Sequence, residues 1–236
     1  DHFNELVIDL VNPAGQPERM QLVVRGYNDG FAFCYKIPDG KGPCVNVQSE
    51  LTAYNFAGDY TAWFYNGENH NIGPEKLTET DGTRLPVMTV KAGDKHYMAI
   101  HEACLETGAP LVLQSKGGES LFSVASKPTS LSPGYTSAWR VVLYGTTPGV
   151  LTDSHLLELL NPDPDSRYDF SWVKPGLAVW DWRINGAVWD GFTYGMSYPS
   201  WVRMVDFAAE QGFKYLVLDA NWYGPEFESD SDPVKG

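Results

Sequence analysis

A change of periodicity near residue 165 constrains this chain more than any other feature. Up to Leu143 the sequence consists of short β-prone segments separated by turn residues; from Trp172 onward it consists of apolar runs joined by an amphipathic segment. Gly176–Trp182 (GLAVWDW) and Phe213–Asp219 (FKYLVLD) read as near-continuous apolar strands, each closing on an acid beside aromatic residues. Such strands belong to sheets covered on both faces. Between them Ser197 caps a predicted helix through Gln211, with Pro199 tolerated in the first turn and Gly212 just beyond the end. Trp201, Val202, Val205, Ala208 and Ala209 form its expected covering stripe, with Arg203, Asp206 and Glu210 facing water. Strand, helix, strand is one βαβ unit, and its crossover belongs to a mostly parallel sheet. The short strand after Gly212 favours a barrel, and no GxGxxG follows either strand to support a dinucleotide fold. Two strands and a helix cannot close such a domain, so the expectation is a piece of a longer polypeptide.

The first part reads as a large antiparallel sandwich. Leu6–Val11, Met20–Val24 and Phe31–Ile37 are expected strands, with a turn at Asn12–Gln16 and a tight-turn signature at Asn28-Asp29-Gly30. Further strands are expected at Val45–Phe56, Thr61–Tyr65, Leu85–Val90, Tyr97–Glu102, Leu111–Gln114, Glu119–Val124 and Ala138–Tyr144. Asn66–Gly73 and Ala125–Gly134 read as polar loops, while Leu151–Leu160 fits a strand or a short helix equally. Asn161–Tyr168 (NPDPDSRY) reads as a linker, which divides the chain into a sandwich over 1–165, incomplete at its start, and a truncated α/β part over 166–236.

Thirty Asp+Glu against 17 Lys+Arg give a net charge of −13, which lacks the basic footprint a nucleic-acid partner or an anionic membrane surface requires. No run of 18 or more apolar residues is present, so no helical membrane span is expected. Eight Trp and 13 Tyr supply flat faces suited to stacking on sugar rings, although cores and interfaces consume most such residues. Cys34 and Cys44 flank a turn-rich segment, where they either bridge in an oxidising compartment or remain thiols. The nucleophile elbow, the P-loop, HExxH and any Cys/His cluster are all missing, which removes serine hydrolase, nucleotide hydrolase and zinc protease readings.

Several residues remain as candidates for chemistry. Asp181 and Asp219 are strand-terminal acids, placed where parallel barrels hold ligands, and Trp180, Trp182, Trp189, Trp222 and Tyr223 surround them in sequence. Either acid binds sugar hydroxyls, supports the structure or acts in glycoside hydrolysis. Trp180 and Trp182 are expected on one side of their strand. Glu102, next to His101 at a strand end, offers a hard oxygen suited to calcium or serves as a hydrogen-bonded edge residue. Arg140 and Lys174 are charges embedded in apolar runs, expected to pair across the boundary between the two parts.

The segments FNELVIDL, RGYNDGFAFCYKIP, MAIHEACL, SAWRVVLYG, FSWVKPGLAVWDW and DFAAEQGFKYLVLDANWY, in that order, resemble landmarks of glycoside hydrolase family 97. The resemblance implies an N-terminal β-sandwich of the galactose-mutarotase-like supersandwich type, followed by the start of a (β/α)8 catalytic barrel. It implies a periplasmic or secreted enzyme that hydrolyses α-glucosides or α-galactosides with calcium beside the catalytic site, so that an α-linked oligosaccharide or glycoside and the remainder of the same polypeptide are the expected partners. By the same resemblance Glu102 matches a calcium ligand, and Asp181, Trp182, Asp219 and Trp222 fall at the substrate mouth. The catalytic carboxylates belong to later barrel strands, so the fragment alone is expected to be inactive. Trp182-Arg183-Ile184-Asn185 and Glu106–Pro110 depart from the pattern and bear on sugar specificity. A non-catalytic carbohydrate-binding or scaffold fragment is the alternative.

Overall fold

In a computed structural model, which describes residues 2–10, 20–67 and 71–234, the chain separates into two compact units, Asp1–Pro164 and Asp165–Gly236. The expected turn at Asn12–Gln16 lies outside the described residues.

The first unit is mainly antiparallel β. Its strands are β1 (Asn4–Asp9), β2 (Gln21–Tyr27), β3 (Gly30–Lys36), β4 (Val45–Val47), β5 (Ala53–Asn55), β6 (Thr61–Tyr65), β7 (Asn71–Lys76), β8 (Asp81–Lys91), β9 (Tyr97–Ala103), β10 (Leu113–Lys116), β11 (Leu121–Val124), β12 (Thr129–Leu131) and β13 (Trp139–Gly145). The hydrogen-bonded path runs β1-β2-β3-β13-β9-β8-β10-β11-β5, with β6 joining β8 to β7 and with β4 and β12 forming a separate pair. The long strand β8 carries this path from one layer to the other. Its first residues, Asp81–Arg84, pair with β10, and its last, Met88–Lys91, pair with β9.

Strand alternation builds two cores, because successive side chains point to opposite faces. Phe64, Met88, Val90, Ile100, Leu113 and Phe122 fill the space between the layers, with the Phe64 and Phe122 rings 5.6 Å apart. On the other face Ala32, Cys34, Ala99, Val141 and Leu143 pack beneath Leu156 and Leu160. These leucines come from the segment that fitted strand or helix equally; it forms two short helices, α1 (Pro148–Asp153) and α2 (Leu156–Leu159).

The segment expected as one strand over Val45–Phe56 splits into β4 and β5, which pair with β12 and β11. A polar stretch containing Glu50 crosses between them, and its backbone is held by the Ser126 hydroxyl at 2.8 Å. Strand β12 lies within one segment read as a loop and β7 begins within the other: short edge partners carry too few apolar residues to show alternation.

In the second unit β14 (Ala178–Trp180) is followed by the short helix α3 (Asp181–Ile184), the hairpin β15 (Val188–Trp189) and β16 (Phe192–Thr193), helix α4 (Tyr198–Gln211) and β17 (Tyr215–Val217). Helix α4 has Ser197 at its N-cap position and Gly212 in the left-handed conformation (φ 71°) after its last turn, as its sequence signals require. Its buried face is rotated from expectation: Ser200, Met204 and Ala208 are buried, while Val202, Val205 and Ala209 are exposed. The difference arises because the helix packs on two short strands, which a narrow i, i+4 row covers.

Candidate functional site

Parallel register puts both strand-terminal acids at one edge of the second unit. Val179 pairs with Leu216 and Trp180 with Val217, so the chain leaves both strands in the same direction toward Asp181 and Asp219. The two acids then take different roles. Asp181 is 1% exposed; its Oδ2 accepts the Trp201 indole N–H at 2.8 Å and its Oδ1 accepts the Asp219 amide at 3.0 Å. Asp219 is half-buried, and its Oδ2 accepts the Trp180 indole N–H at 2.8 Å. Trp180 is therefore a positioning group, and the Arg183 guanidinium lies 5.0 Å from the centre of its ring.

Trp182 and Trp222 are 49% and 45% exposed, and Trp222 meets Tyr223 edge-on at 5.5 Å. Strand β14 ends at Trp180 and helix α3 begins at Asp181, so strand alternation does not put Trp180 and Trp182 on one side. Trp189 stands exposed on the β15–β16 hairpin, away from strands β14 and β17 in sequence and pairing.

Glu102 belongs to the first unit and lies on the inter-layer face of β9, with the same parity as Met98 and Ile100. Directly opposite it on β13 is Arg140, which is 4% exposed. Arg140 donates from Nε to Glu50 Oε1 at 3.0 Å and from Nη2 to Glu50 Oε2 at 2.7 Å, the two-pronged geometry a guanidinium suits best. Its Nη1 lies 3.5 Å from Glu102 Oε2, an ionic contact beyond hydrogen-bond length. Burial is the largest single influence on the Arg140 pKa and would lower it; the bidentate bond to Glu50 together with the charges of Glu50 and Glu102 outweighs it and holds the guanidinium above its ordinary value. The expectation that Arg140 pairs across the boundary is thus corrected: both its acids lie in its own unit, because β-sheet register puts Glu102 beside it. Arg140 Nη1 and the Tyr54 hydroxyl are buried without hydrogen-bond partners among the described residues, and burial pushes the Tyr54 pKa up.

Glu102 Oε2 also accepts the Leu111 amide at 2.7 Å, which leaves Oε1 without a donor among the described residues. Two carboxylates around one guanidinium leave one net negative charge. Chemically the arrangement fits one hard oxygen ligand for a cation and no more. No group of three or more His, Cys, Asp or Glu side chains able to hold a metal occurs among the described residues. The Lys174 carbonyl accepts a hydrogen bond from the Tyr215 hydroxyl. Cys34, Cys44 and Cys104 are all free. Among the described residues no helix is long and apolar enough to cross a membrane.

Sequence reasoning missed Glu50, Trp201 and Leu111 as site-forming residues. Their partners lie 9, 20 and 90 residues away in the chain, for Leu111, Trp201 and Glu50, and no local pattern in the sequence signals those pairings.

Residues 1–162 match the family described as Glycosyl-hydrolase 97 N-terminal. The chain belongs to glycoside hydrolase family 97. It is 28% identical to a retaining alpha-galactosidase of Bacteroides thetaiotaomicron, over 84% of this chain and 36% of that protein. It is 30% identical to a probable retaining alpha-galactosidase of Streptomyces bingchenggensis, over 87% of this chain and 32% of that protein. Among solved structures it is similar to a family 97 enzyme from Pseudoalteromonas sp. strain K8 in complex with acarbose, with a TM-score of 0.76 and 25% identity, over 95% of this chain and 37% of that one. The chain thus spans about a third of the length of the curated relatives it matches.

Proposed function

We propose that this chain is part of a retaining α-galactosidase, in which its first unit is the N-terminal sandwich and its second unit opens a (β/α)8 barrel. The observation that carries the reading is the parallel pairing of β14 and β17 around α4, which sends Asp181 and Asp219 out of one sheet edge beside exposed Trp182 and Trp222. Ligands of parallel αβ folds sit at that end of the strands. The names of both curated relatives favour α-galactosides over α-glucosides.

In this reading an α-linked galactoside stacks on the exposed tryptophans and gives hydroxyl hydrogen bonds to a strand-end carboxylate. The carboxylates that break the bond come from outside this chain. Glu102 Oε1 would be one ligand of a calcium ion, whose chemistry when bound would be to supply positive charge. The oxygen without a donor among the described residues and the net negative charge of the Glu50–Arg140–Glu102 cluster support that role for Glu102. The enzyme works in the periplasm or outside the cell.

The test is hydrolysis of an aryl α-galactoside and the matching α-glucoside by the polypeptide that carries this chain, with proton NMR of the first-formed sugar. The expected result is preference for the galactoside and release of the α-anomer, with no turnover by the 236-residue chain alone. Chelation with EGTA should lower both activity and melting temperature, and calcium should restore them. Failure to cleave either substrate would overturn the reading; preference for the glucoside would overturn its substrate assignment.

A further inference from the structure

The two strand-end acids do not have equivalent access to a ligand. Asp181 is buried and both its oxygens are engaged, one by the Trp201 indole and one by the Asp219 amide. Asp219 is half-buried and has only Oδ2 engaged, by the Trp180 indole; Oδ1 accepts no hydrogen bond among the described residues. Asp219 lies two residues beyond the end of β17, so its backbone orientation is not set by the strand ladder. The contacts that set it are those from Asp181 to its amide and from Trp180 to its carboxylate.

We propose that Asp219 Oδ1 accepts a hydrogen bond from a single sugar hydroxyl, and that Asp181 is a positioning residue acting through Asp219. The proposal rests on the glycosidase reading above. A carboxylate free at both oxygens can receive two neighbouring hydroxyls of a pyranose, one on each oxygen. With Oδ2 already accepting from Trp180, Oδ1 is the oxygen without a donor among the described residues, and it receives the one hydroxyl. Asp181 serves as the hub that ties helix α4, through Trp201, to the backbone of Asp219, so the angle at which Oδ1 is presented depends on a residue the sugar does not touch. A pair of fixed donors around a buried carboxylate is the kind of supporting shell that holds a binding group in place.

The positioning role is tested first in the 236-residue chain, without any sugar, through its indole N–H resonances in a ¹H–¹⁵N spectrum. Asp181→Asn presents one oxygen to two donors, so one of its two bonds is lost. The expected result is movement of both the Trp201 and the Trp180 resonances, the latter because Asp219 shifts. Asp219→Asn should move Trp180 and leave Trp201 in place. A Trp180 resonance unmoved in Asp181→Asn overturns the positioning role, even if the melting temperature falls.

The hydroxyl contact is tested by kinetics in the polypeptide that carries this chain. Loss of one charge-assisted hydrogen bond in Asp219→Asn should lower kcat/KM by roughly 10–100-fold. Asp181→Asn should lower it less, and the double variant should match Asp219→Asn within about twofold, since residues acting as one unit are non-additive. Among singly deoxygenated galactosides, one alone should lose its penalty in Asp219→Asn. Independent, multiplying losses, or two adjacent hydroxyl positions equally affected, would overturn the proposal. A parent polypeptide without glycosidase activity would sink the functional reading, while the indole resonances would still decide the role of Asp181.

Discussion

Replacing Arg140 by methionine should be among the most damaging single changes in the first unit. The guanidinium is 5% exposed in its side chain and faces two carboxylates, Glu50 at 18% and Glu102 at 12% exposure. Charge centres about 4 Å apart attract by about 4 kcal/mol each at an effective dielectric of about 20, and removing Arg140 from water offsets several kcal/mol of that sum. Methionine fills much of the volume, so the loss is dominated by two part-buried carboxylates left without their cation, a net cost of about 3–5 kcal/mol. That is a large share of the roughly 5–15 kcal/mol that holds a typical domain together. Urea unfolding of the 236-residue chain, followed by far-UV circular dichroism, measures it, with Asp165–Gly236 as a second unit whose transition must be resolved. The discriminating comparison is Arg140→Met with Glu50→Met. This double variant removes the bidentate pair whole and leaves Glu102 its bond from the Leu111 amide. It should be more stable than Arg140→Met alone, because a stranded charge costs more than a missing pair. An Arg140→Met variant within about 1 kcal/mol of the parent, the range of a surface ion pair, would refute the reasoning. So would a double variant showing simple additive losses.

Three further outcomes are expected. His101 Nδ1 accepts the Glu102 amide at 2.8 Å, and burial holds its pKa below the ordinary 6.5, opposed in part by the Glu102 charge. The unfolded chain therefore binds the proton first, so His101 lowers stability as pH falls through 6.5; His101→Gln should flatten the melting-temperature profile in that range. Burial pushes the Cys34 thiol up to about 11, whereas Cys44 is exposed. With a thiolate fraction of about 10⁻³ at pH 8, Cys34 should stay unlabelled by a disulfide reagent until the chain unfolds, while Cys44 reacts at once. A Cβ at Gly30 would lie 2.3 Å from the Val142 carbonyl oxygen, whereas one at Gly212 would meet nothing within 4 Å. Gly30→Ala should thus cost about 1–3 kcal/mol or more by overpacking, against about 1 kcal/mol for the left-handed Gly212, as read from urea midpoints.

The elements that sequence made legible are those with long or well-signalled patterns. Strands β2, β3, β9 and β13 run over seven residues each and are rich in apolar and aromatic residues, and helix α4 carries both of its end signals. Strands β4, β5 and β12 have three residues each, too few for a period of two to declare itself. Their pairing is decided by distant partners, β12 with β4 and β11 with β5. The same limit explains Arg140. Its embedding between apolar residues was visible, but not the neighbouring strand opposite it, and that strand's register is what turns a charge expected at a boundary into the centre of a buried cluster.

The candidate site illustrates the limit in chemical terms. In sequence, Asp181 and Asp219 have the same credentials, each an acid at the end of an apolar run with a tryptophan close by. What separates them is which indole reaches which carboxylate. Trp201, 20 residues along the chain on α4, closes over Asp181, while Trp180 reaches across the parallel pair to Asp219. Burial follows from that exchange: the acid that receives the helix indole and a backbone amide becomes internal support, and the acid that receives only a neighbour's indole keeps an oxygen for a ligand. A strand-end carboxylate is therefore best assigned by counting the donors that already occupy its oxygens, because a ligand can compete only for the lone pairs the fold has left open.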